Sequence, residues 1–499
     1  MAMTGEQANT RLQAIASSGT DLLRNGANPA VVAAPMLHFR NAHPNSLKLY
    51  ADVLRSRFTG SLARAFLPMA YHNLLRPLVG GKGSRLQSGD QLPERTDILF
   101  VSHLLDVRRM TQCDDIYIGD LAERLQRHGI SSVNALIDHT QSSSAHISQN
   151  WSRSQTPRVV LPRQLDIVNE LQISAQLGRA ALSLAKKSIS GNIELARFAA
   201  LDALSPTARD AMRIAYQIGE LVKRLNPKIV MTTLEGHSWE RLAFHAAHEA
   251  DPATVCIGYA HAPLFPMHHA LTAQLGNGYD PDVIMVPGDV SLSVLKNNPT
   301  MLGKDIRVLG SVRSFAKGEE FPKMPTSRVC LLLPEGLNDE VAALIRLSLE
   351  AGAKCPDVRF RIRLHPAMSK DLFFRQRPEF ANLPPTFEWS KERSLNADLA
   401  EANWALYRGS TAIISAPLLR TKPLHYRVPG ELADIDPLFA LEGYRESVDC
   451  PEQLIRILST EHVGSEAELS AAIDFCTKFY VPLREQVFVD LMRGLKSDF

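Results

Sequence analysis

The sequence has little of what marks a special-purpose chain. It carries six cysteines in 499 residues. None forms a CxxC pair, which excludes a disulfide scaffold and leaves no zinc-finger spacing. Several, such as Cys256 in TVCIGY and Cys330 in VCLLL, sit in apolar strand-like runs and read as buried free thiols of a reducing compartment. No run reaches the roughly 18 apolar residues of a membrane span. The N-terminus, MAMTGEQANTRLQAIASSG, has no basic start followed by an apolar run, so a cytoplasmic protein made without export is expected. Lys plus Arg total 55 against 53 acidic residues, a net charge of +2. The basic excess of a dedicated nucleic-acid binder is therefore missing. There is no GxxxxGK[ST] loop, no GxGxxG after the first strand and no GxSxG elbow. These absences argue against P-loop hydrolysis, a nicotinamide Rossmann site and an α/β-hydrolase.

What is present is ordinary globular composition, 45% hydrophobic and 22% charged, at a length that suits two or three domains. Residues 1–93 read as mostly helical, with Leu47, Leu49, Tyr50, Val53, Leu54 and Phe58 near helical spacing. The glycine- and charge-rich stretch 78–96 reads as a loop. From 97 onward, strand and helix patterns alternate. Apolar runs at 97–105, 131–139, 227–236, 253–261, 281–288 and 304–313 predict strands buried on both faces of a parallel sheet. Residues 141–158 are polar and Ser-rich and read as a loop; 165–225 is a long helical zone. SWERLAFHAAHEA predicts a helix with Ser238 as N-cap. A linker composition over 316–327 precedes a second strand–helix series. The tail from 467 is helical, interrupted near Pro482. The fold class expected is α/β, with two Rossmann-like halves facing across a cleft. The boundaries are a helical extension over 1–93, domains over 94–318 and 319–480, and a C-terminal crossover helix over 481–499.

Ligands of open α/β sheets sit beyond the carboxyl ends of the strands, so residues just after strands carry the candidate chemistry. His365-Pro366 follows RFRIRL, where an imidazole suits a phosphate or a leaving group. Gly409-Ser410-Thr411 follows WALYR and opens TAIISAPLL. Close backbone approach, hydroxyls and helix N-terminal amides there form an anion site. Pro334-Glu335-Gly336 follows VCLLL, where glycine lets a nucleotide approach and the carboxylate accepts from ribose hydroxyls. Glu235-Gly236-His237 follows KIVMTT. Glu235 is either a general base or the cap of the helix after it. Tyr259, His261, His268 and His269 crowd one proline-broken loop, without metal-ligand spacing.

Two Rossmann-like halves, a middle linker and a C-terminal helix able to cross back resemble the GT-B glycosyltransferase architecture. Within it, RLHP at 363–366 and GSTA at 409–412 resemble the HP and Ser/Thr motifs of bacterial sialyltransferases, polysialyltransferases and Kdo-type transferases. VLGSVR, LLLPEG and RLHP also resemble bacterial surface-carbohydrate proteins. The acidic-acidic-Gly motif of these families falls on Leu234-Glu235-Gly236, with leucine at its first position. The resemblance implies an inverting, metal-independent glycosyltransferase, with a nucleotide-sugar donor bound by the second domain and a glycan or glycolipid acceptor by the first. The donor it implies best is a CMP-activated nonulosonate or Kdo, with a UDP-sugar or CDP-polyol transferase, or a non-catalytic binding protein, as alternatives. It implies Glu235 and His365 as catalytic residues. Glu335, Gly336, Pro366, Gly409, Ser410 and Thr411 then hold the donor, and His237, Tyr259 and His261 lie on the acceptor side. No cofactor and no metal are implied. Residues 61–85 mix apolar side chains with Arg64, Arg76, Lys82 and Arg85. They are a candidate contact with the inner face of a membrane, against the alternative of core packing.

Overall fold

The computed structural model describes residues 5–26, 28–41, 43–50, 53, 86, 88, 90–112, 114–140, 142–152, 156–191, 194–265, 269–314, 328–366, 368–391, 393–429, 431, 435–460 and 464–497. The candidate membrane segment, the linker at 316–327 and His268 lie outside these residues.

Seven parallel strands form the first sheet: β1 (Ile98–Leu104), β2 (Ser132–Asp138), β3 (Arg158–Leu161), β4 (Ile229–Thr233), β5 (Val255–Tyr259), β6 (Val283–Val286) and β7 (Asp305–Val308). Their order is β3-β2-β1-β4-β5-β6-β7. Six more form the second: β8 (Val329–Leu333), β9 (Arg359–Ile362), β10 (Phe387–Trp389), β11 (Trp404–Tyr407), β12 (Lys422–Tyr426) and β13 (Glu446–Val448). These run β10-β9-β8-β11-β12-β13, again all parallel. Both sheets are doubly wound. The chain fills one side, then crosses back to lay a strand against the first, so the order reverses between β1 and β4 and between β8 and β11. The α/β fold class follows from this topology.

Parallel pairing demands apolar side chains on both faces, and every residue of β4, β8 and β11 is buried. In the first sheet Ile98, Phe100, Met231, Ile257 and Met285 pack against Leu121 and Leu125 on one helix and Phe488 and Met492 on the C-terminal helix Gln486–Ser497. In the second, Cys330, Leu332, Phe360, Trp404 and Leu406 pack against Val341, Leu344 and Ile345 of the helix Asn338–Lys354.

The described chain divides into two compact units. One takes residues from 6–262, 267–313 and 482–499, the other from 1–5, 263–266 and 314–481. The first unit thus includes the N-terminal helices and the C-terminal helix. Leu309 and Gly310, just after β7, hold the returning tail: Arg484 N donates to Leu309 O at 2.8 Å and Tyr259 Oη to Gly310 O at 2.7 Å. Gly310 has φ +93°, and a Cβ there would collide with the backbone of Pro482 and lie 2.8 Å from Leu483 N.

Several local expectations differ from the structure. The stretch read as a loop over 141–158 contains a helix, Ser144–Gln149, because the Ser143 hydroxyl caps it by accepting from His146 N. The helical zone 165–225 is three helices, Ile167–Gly191, Glu194–Asp202 and Pro206–Leu225. TAIISAPLL, expected as a helix or a buried run, is two short 3-10 turns, Thr411–Ser415 and Pro417–Leu419, with Ile413, Ile414 and Leu418 buried.

The tail's docking point is testable by substitution. Gly310→Ala should destabilise the first unit by roughly 2–4 kcal/mol through positive φ and backbone overlap. Gly303→Ala, at φ +78° with nothing within 4 Å of the added Cβ, should cost about 1 kcal/mol. Denaturant titration of the two variants checks the difference.

Candidate functional site

The first polar cluster stands where the strand order of the first sheet reverses. The turn after β4 carries Glu235, Gly236 and His237, and the helix Ser238–Ala250 follows it. Its geometry is set by Glu240, a fully buried carboxylate. Glu240 accepts from the backbone N–H groups of Glu235, Gly236 and His237, each at 2.8 Å. Burial raises the pKa of Glu240. Glu240 thus holds the amides of the turn, and the Glu235 carboxylate is engaged by Arg40 rather than by the helix amides. Ser238, expected as N-cap, is instead the first helical residue behind His237. Gly236 adopts φ +85° with Ala270 pressed against it, so a side chain there would meet Ala270 Cβ at 2.9 Å.

Released from capping, the Glu235 side chain keeps 30% of its exposure and is ringed by cations and imidazoles. Arg40 Nη2 donates to Oε2 at 2.8 Å, His261 Nε2 lies 3.0 Å from Oε1, and His237 Nε2 lies 3.5 Å from Oε2. Burial pushes the Glu235 pKa up. The hydrogen bonds from His237 and His261, with the charges of His261 and Arg40, outweigh it and hold the carboxyl well below its usual range. Arg40 arrives from the N-terminal segment because residues 39–40 pair with 269–270: Ala270 N donates to Phe39 O and His269 N to Arg40 O. His269 is also held by Thr20 Oγ1 at 2.9 Å. It serves to anchor the N-terminal helix. Tyr259 faces the core and gives its hydroxyl to Gly310.

Beside this group the structure adds residues that the motifs did not indicate. His103 of β1 reaches Thr233 Oγ1 of β4 at 3.1 Å, spanning the strand-order reversal, and places Nδ1 2.9 Å from His139 Nε2. Tyr117 and Trp239 meet His103 edge-on, with centroids at 5.7 and 5.4 Å. Tyr117 also lies 4.3 Å from the His261 ring. Burial, and then the neighbouring His139, lower the His103 pKa to about 4. Burial also pushes the Tyr117 hydroxyl up to about 12, with Glu235 and Asp115 adding to it. A histidine in the otherwise apolar run DILFVSHLL was the one sequence signal for His103. Arg40, Tyr117 and Trp239 had none.

The second cluster stands at the matching reversal of the second sheet. Glu335 N donates to the buried Glu340 carboxylate at 2.8 Å, so this turn is built like the first. Gly336, at φ +139°, lies against His365: a Cβ there would sit 3.3 Å from the imidazole Cγ. Gly409 is equally required, since a Cβ would overlap the Glu335 carboxylate and stand 2.7 Å from Ile435. Glu335, Gly336, His365 and Gly409 are thus brought together at the ends of β8, β9 and β11. His365 and Pro366 are exposed and Ser410 is buried. Ser410 precedes the 3-10 turn Thr411–Ser415 and makes no side-chain capping bond. The anion site expected there loses its helix dipole, which needs a longer aligned run of peptides. Ser410 and Thr411 still place two hydroxyl residues at the end of β11.

No family model and no curated protein matches the chain. Similar solved structures include the glycosyltransferase SnogD from Streptomyces nogalater, 13% identical over 80% of this chain and 100% of that one, with a TM-score of 0.45. A putative UDP-N-acetylglucosamine 2-epimerase from Listeria monocytogenes is 12% identical over 78% and 92%, with a TM-score of 0.44. The calicheamicin glycosyltransferase CalG4 is 12% identical over 81% and 98%, with a TM-score of 0.45. At these values no activity carries over to this chain. Among the described residues no helix is long and apolar enough to cross a membrane.

The buried histidines of the first unit predict a pH response. His38 donates from Nε2 to Val32 O at 2.7 Å, and burial lowers its pKa from 6.5 to about 4. The unfolded chain therefore binds this proton between pH 6.5 and 4 while the folded chain does not, so stability falls as pH falls through that window. Relative to His38→Gln, the wild type should lose on the order of 2–3 kcal/mol more between pH 7 and 4.5. Denaturant midpoints at the two pH values check it.

Proposed function

We propose that this protein is a glycosyltransferase. It moves a sugar from a nucleotide-linked donor to a hydroxyl acceptor with inversion, and the protein's own side chains replace a metal. The observation that carries the reading is Glu235: an ionised carboxylate among two imidazoles and an arginine, at a sheet reversal where open α/β folds bind ligands. The glycine-lined second cluster supports it as the place of the donor nucleotide. There Gly336 and Gly409 let a flat ligand reach backbone, Glu335 accepts from hydroxyls, and His365, Ser410 and Thr411 donate to phosphate oxygens.

In this reaction the acceptor oxygen attacks the anomeric carbon as the bond from that carbon to the phosphate oxygen breaks. A carboxylate stabilised so strongly holds a proton poorly, so the acceptor proton passes to the His237 imidazole, and Glu235, 3.5 Å from its Nε2, orients the ring and stabilises the imidazolium that forms. His237, with 39% of its side chain exposed against 10% for His261, is the more accessible of the two. His365 stabilises the departing phosphate. On the resemblance of RLHP and GSTA, the donor is a CMP-activated nonulosonate or Kdo and the acceptor a surface glycan, met in the cytoplasm or at the inner face of the membrane.

Glu235→Gln should lower transfer by about 10² to 10⁴ while leaving nucleotide affinity unchanged. Transfer within a few-fold of wild type removes the proposed role. In a thermal-shift screen, CMP should stabilise the chain more than UDP, GDP or CDP. A shift with UDP alone would replace the donor and keep the transferase.

A further inference from the structure

At the amino ends of the strands of the first sheet, three potential ligands from three elements converge. His248 lies in the last turn of the helix Ser238–Ala250, Cys256 is the second residue of β5, and Asp282 immediately precedes β6. One ligand atom from each, an imidazole nitrogen, Sγ and a carboxylate oxygen, lies within 4.8 Å of the others. We propose that His248, Cys256 and Asp282 form a binding site for a divalent cation of the zinc class, unrelated to the polar clusters at the carboxyl ends of the strands.

The imidazole is oriented for it. His248 Nδ1 lies 2.9 Å from Gly278 O, so Nδ1 carries a proton and donates to that carbonyl. Gly278 adopts φ +76°, and a Cβ there would lie 3.3 Å from Nδ1, so glycine is what lets this carbonyl reach the ring. A carbonyl that fixes one ring nitrogen leaves the other to bind a cation, which is the usual outer-shell arrangement of a metal-bound histidine. The other nitrogen, Nε2, points at Asp282 Oδ2 from 3.1 Å. With the proton on Nδ1, a neutral ring would set a lone pair against a carboxylate oxygen. Positive charge is required between them, as a second ring proton or as a cation.

A proton satisfies His248 and Asp282 and leaves the adjacent thiol on a long 3.8 Å donation to Phe244 O. A cation engages all three. Imidazole, thiolate and carboxylate together suit zinc rather than magnesium or calcium, which take oxygen ligands. Asp282 is further fixed by the N–H of Cys256, which donates to Oδ2 at 2.7 Å. Cys256 is wholly buried, whereas the side chains of His248 and Asp282 are 18% and 48% exposed. The cation therefore enters from the Asp282 side, and water completes its fourth position. Binding displaces the protons of the imidazolium and the thiol. The site ties the end of one helix to the starts of two strands, so its role is structural or regulatory. No local spacing announces it: the ligands are 8 and 26 residues apart, and the expectation of no metal rested on the absence of such spacing.

The test uses the full chain in chelator-treated buffer, titrated with Co²⁺ and then Zn²⁺. One equivalent of Co²⁺ should give visible absorption together with a thiolate-to-cobalt band, both removed by one equivalent of Zn²⁺, and Zn²⁺ should raise the melting temperature. Cys256→Ser should abolish the thiolate band, and His248→Gln and Asp282→Asn should each weaken affinity at least tenfold. Circular dichroism reports whether each variant folds. Should Cys256→Ser not fold, the wild-type spectrum and Asp282→Asn decide. No stoichiometric uptake, uptake without a thiolate band, or wild-type affinity in Asp282→Asn would overturn the proposal and leave an imidazolium–aspartate pair.

Discussion

A buried carboxylate governs the turn on which the proposed chemistry depends. Glu240 sits one turn into a helix and takes three consecutive backbone amides with its two oxygens. Those amides belong to the turn ahead of the helix, and leaving buried donors unpaired costs about 1–3 kcal/mol each. Because Glu240 does this, Glu235 is spared for the imidazoles and Arg40. The second half repeats the device with a second glutamate, Glu340, which takes the Glu335 amide. Burial and the nearby Glu335 charge raise the Glu340 pKa. EGHSWE and EGLNDE are the same solution reached twice, once after the fourth strand of a sheet and once after the first.

The strand order then decides what each turn faces. In a doubly wound sheet the carboxyl ends on either side of the reversal diverge, leaving a place for a ligand. In the first unit the reversal is bridged by side chains, with His103 and Thr233 in contact and Trp239 and Tyr117 beside them. In the second it is kept open by missing side chains, with Gly336 against His365 and Gly409 against Glu335. One site is rich in groups that handle protons. The other offers backbone, hydroxyls and one imidazole, which suits a nucleotide phosphate. That division matches the two tasks of a group transfer, activating an acceptor and holding a leaving group.

Much of the sheet was legible because strands buried on both faces must be continuous apolar runs, as in DILFVSHLL and VCLLLP. The glycines after β4, β8 and β11 were legible because turns at strand ends restrict residue type. Arg40 was not, since it reaches Glu235 only through pairing of residues 39–40 with 269–270, a contact with no local pattern. The capping partner was misassigned for a related reason. Ser238 has the better capping chemistry, but Glu240 can reach three amides from inside the helix. The run after Gly409 looked helical by its apolar content, yet Pro417 divides it into two single turns. The cation cluster was invisible because its three ligands meet only after the sheet forms.

The proposed donor would place its nucleotide over the ends of β8, β9 and β11. Amide hydrogen exchange of the full chain, alone and with each of CMP, UDP, GDP and CDP at saturating concentration, tests it directly. At least one nucleotide is expected to slow exchange at residues 334–337, 363–366 and 408–412 together, with the 276–282 loop unchanged. Slowed exchange confined to other segments, or none with any of the four, would contradict it.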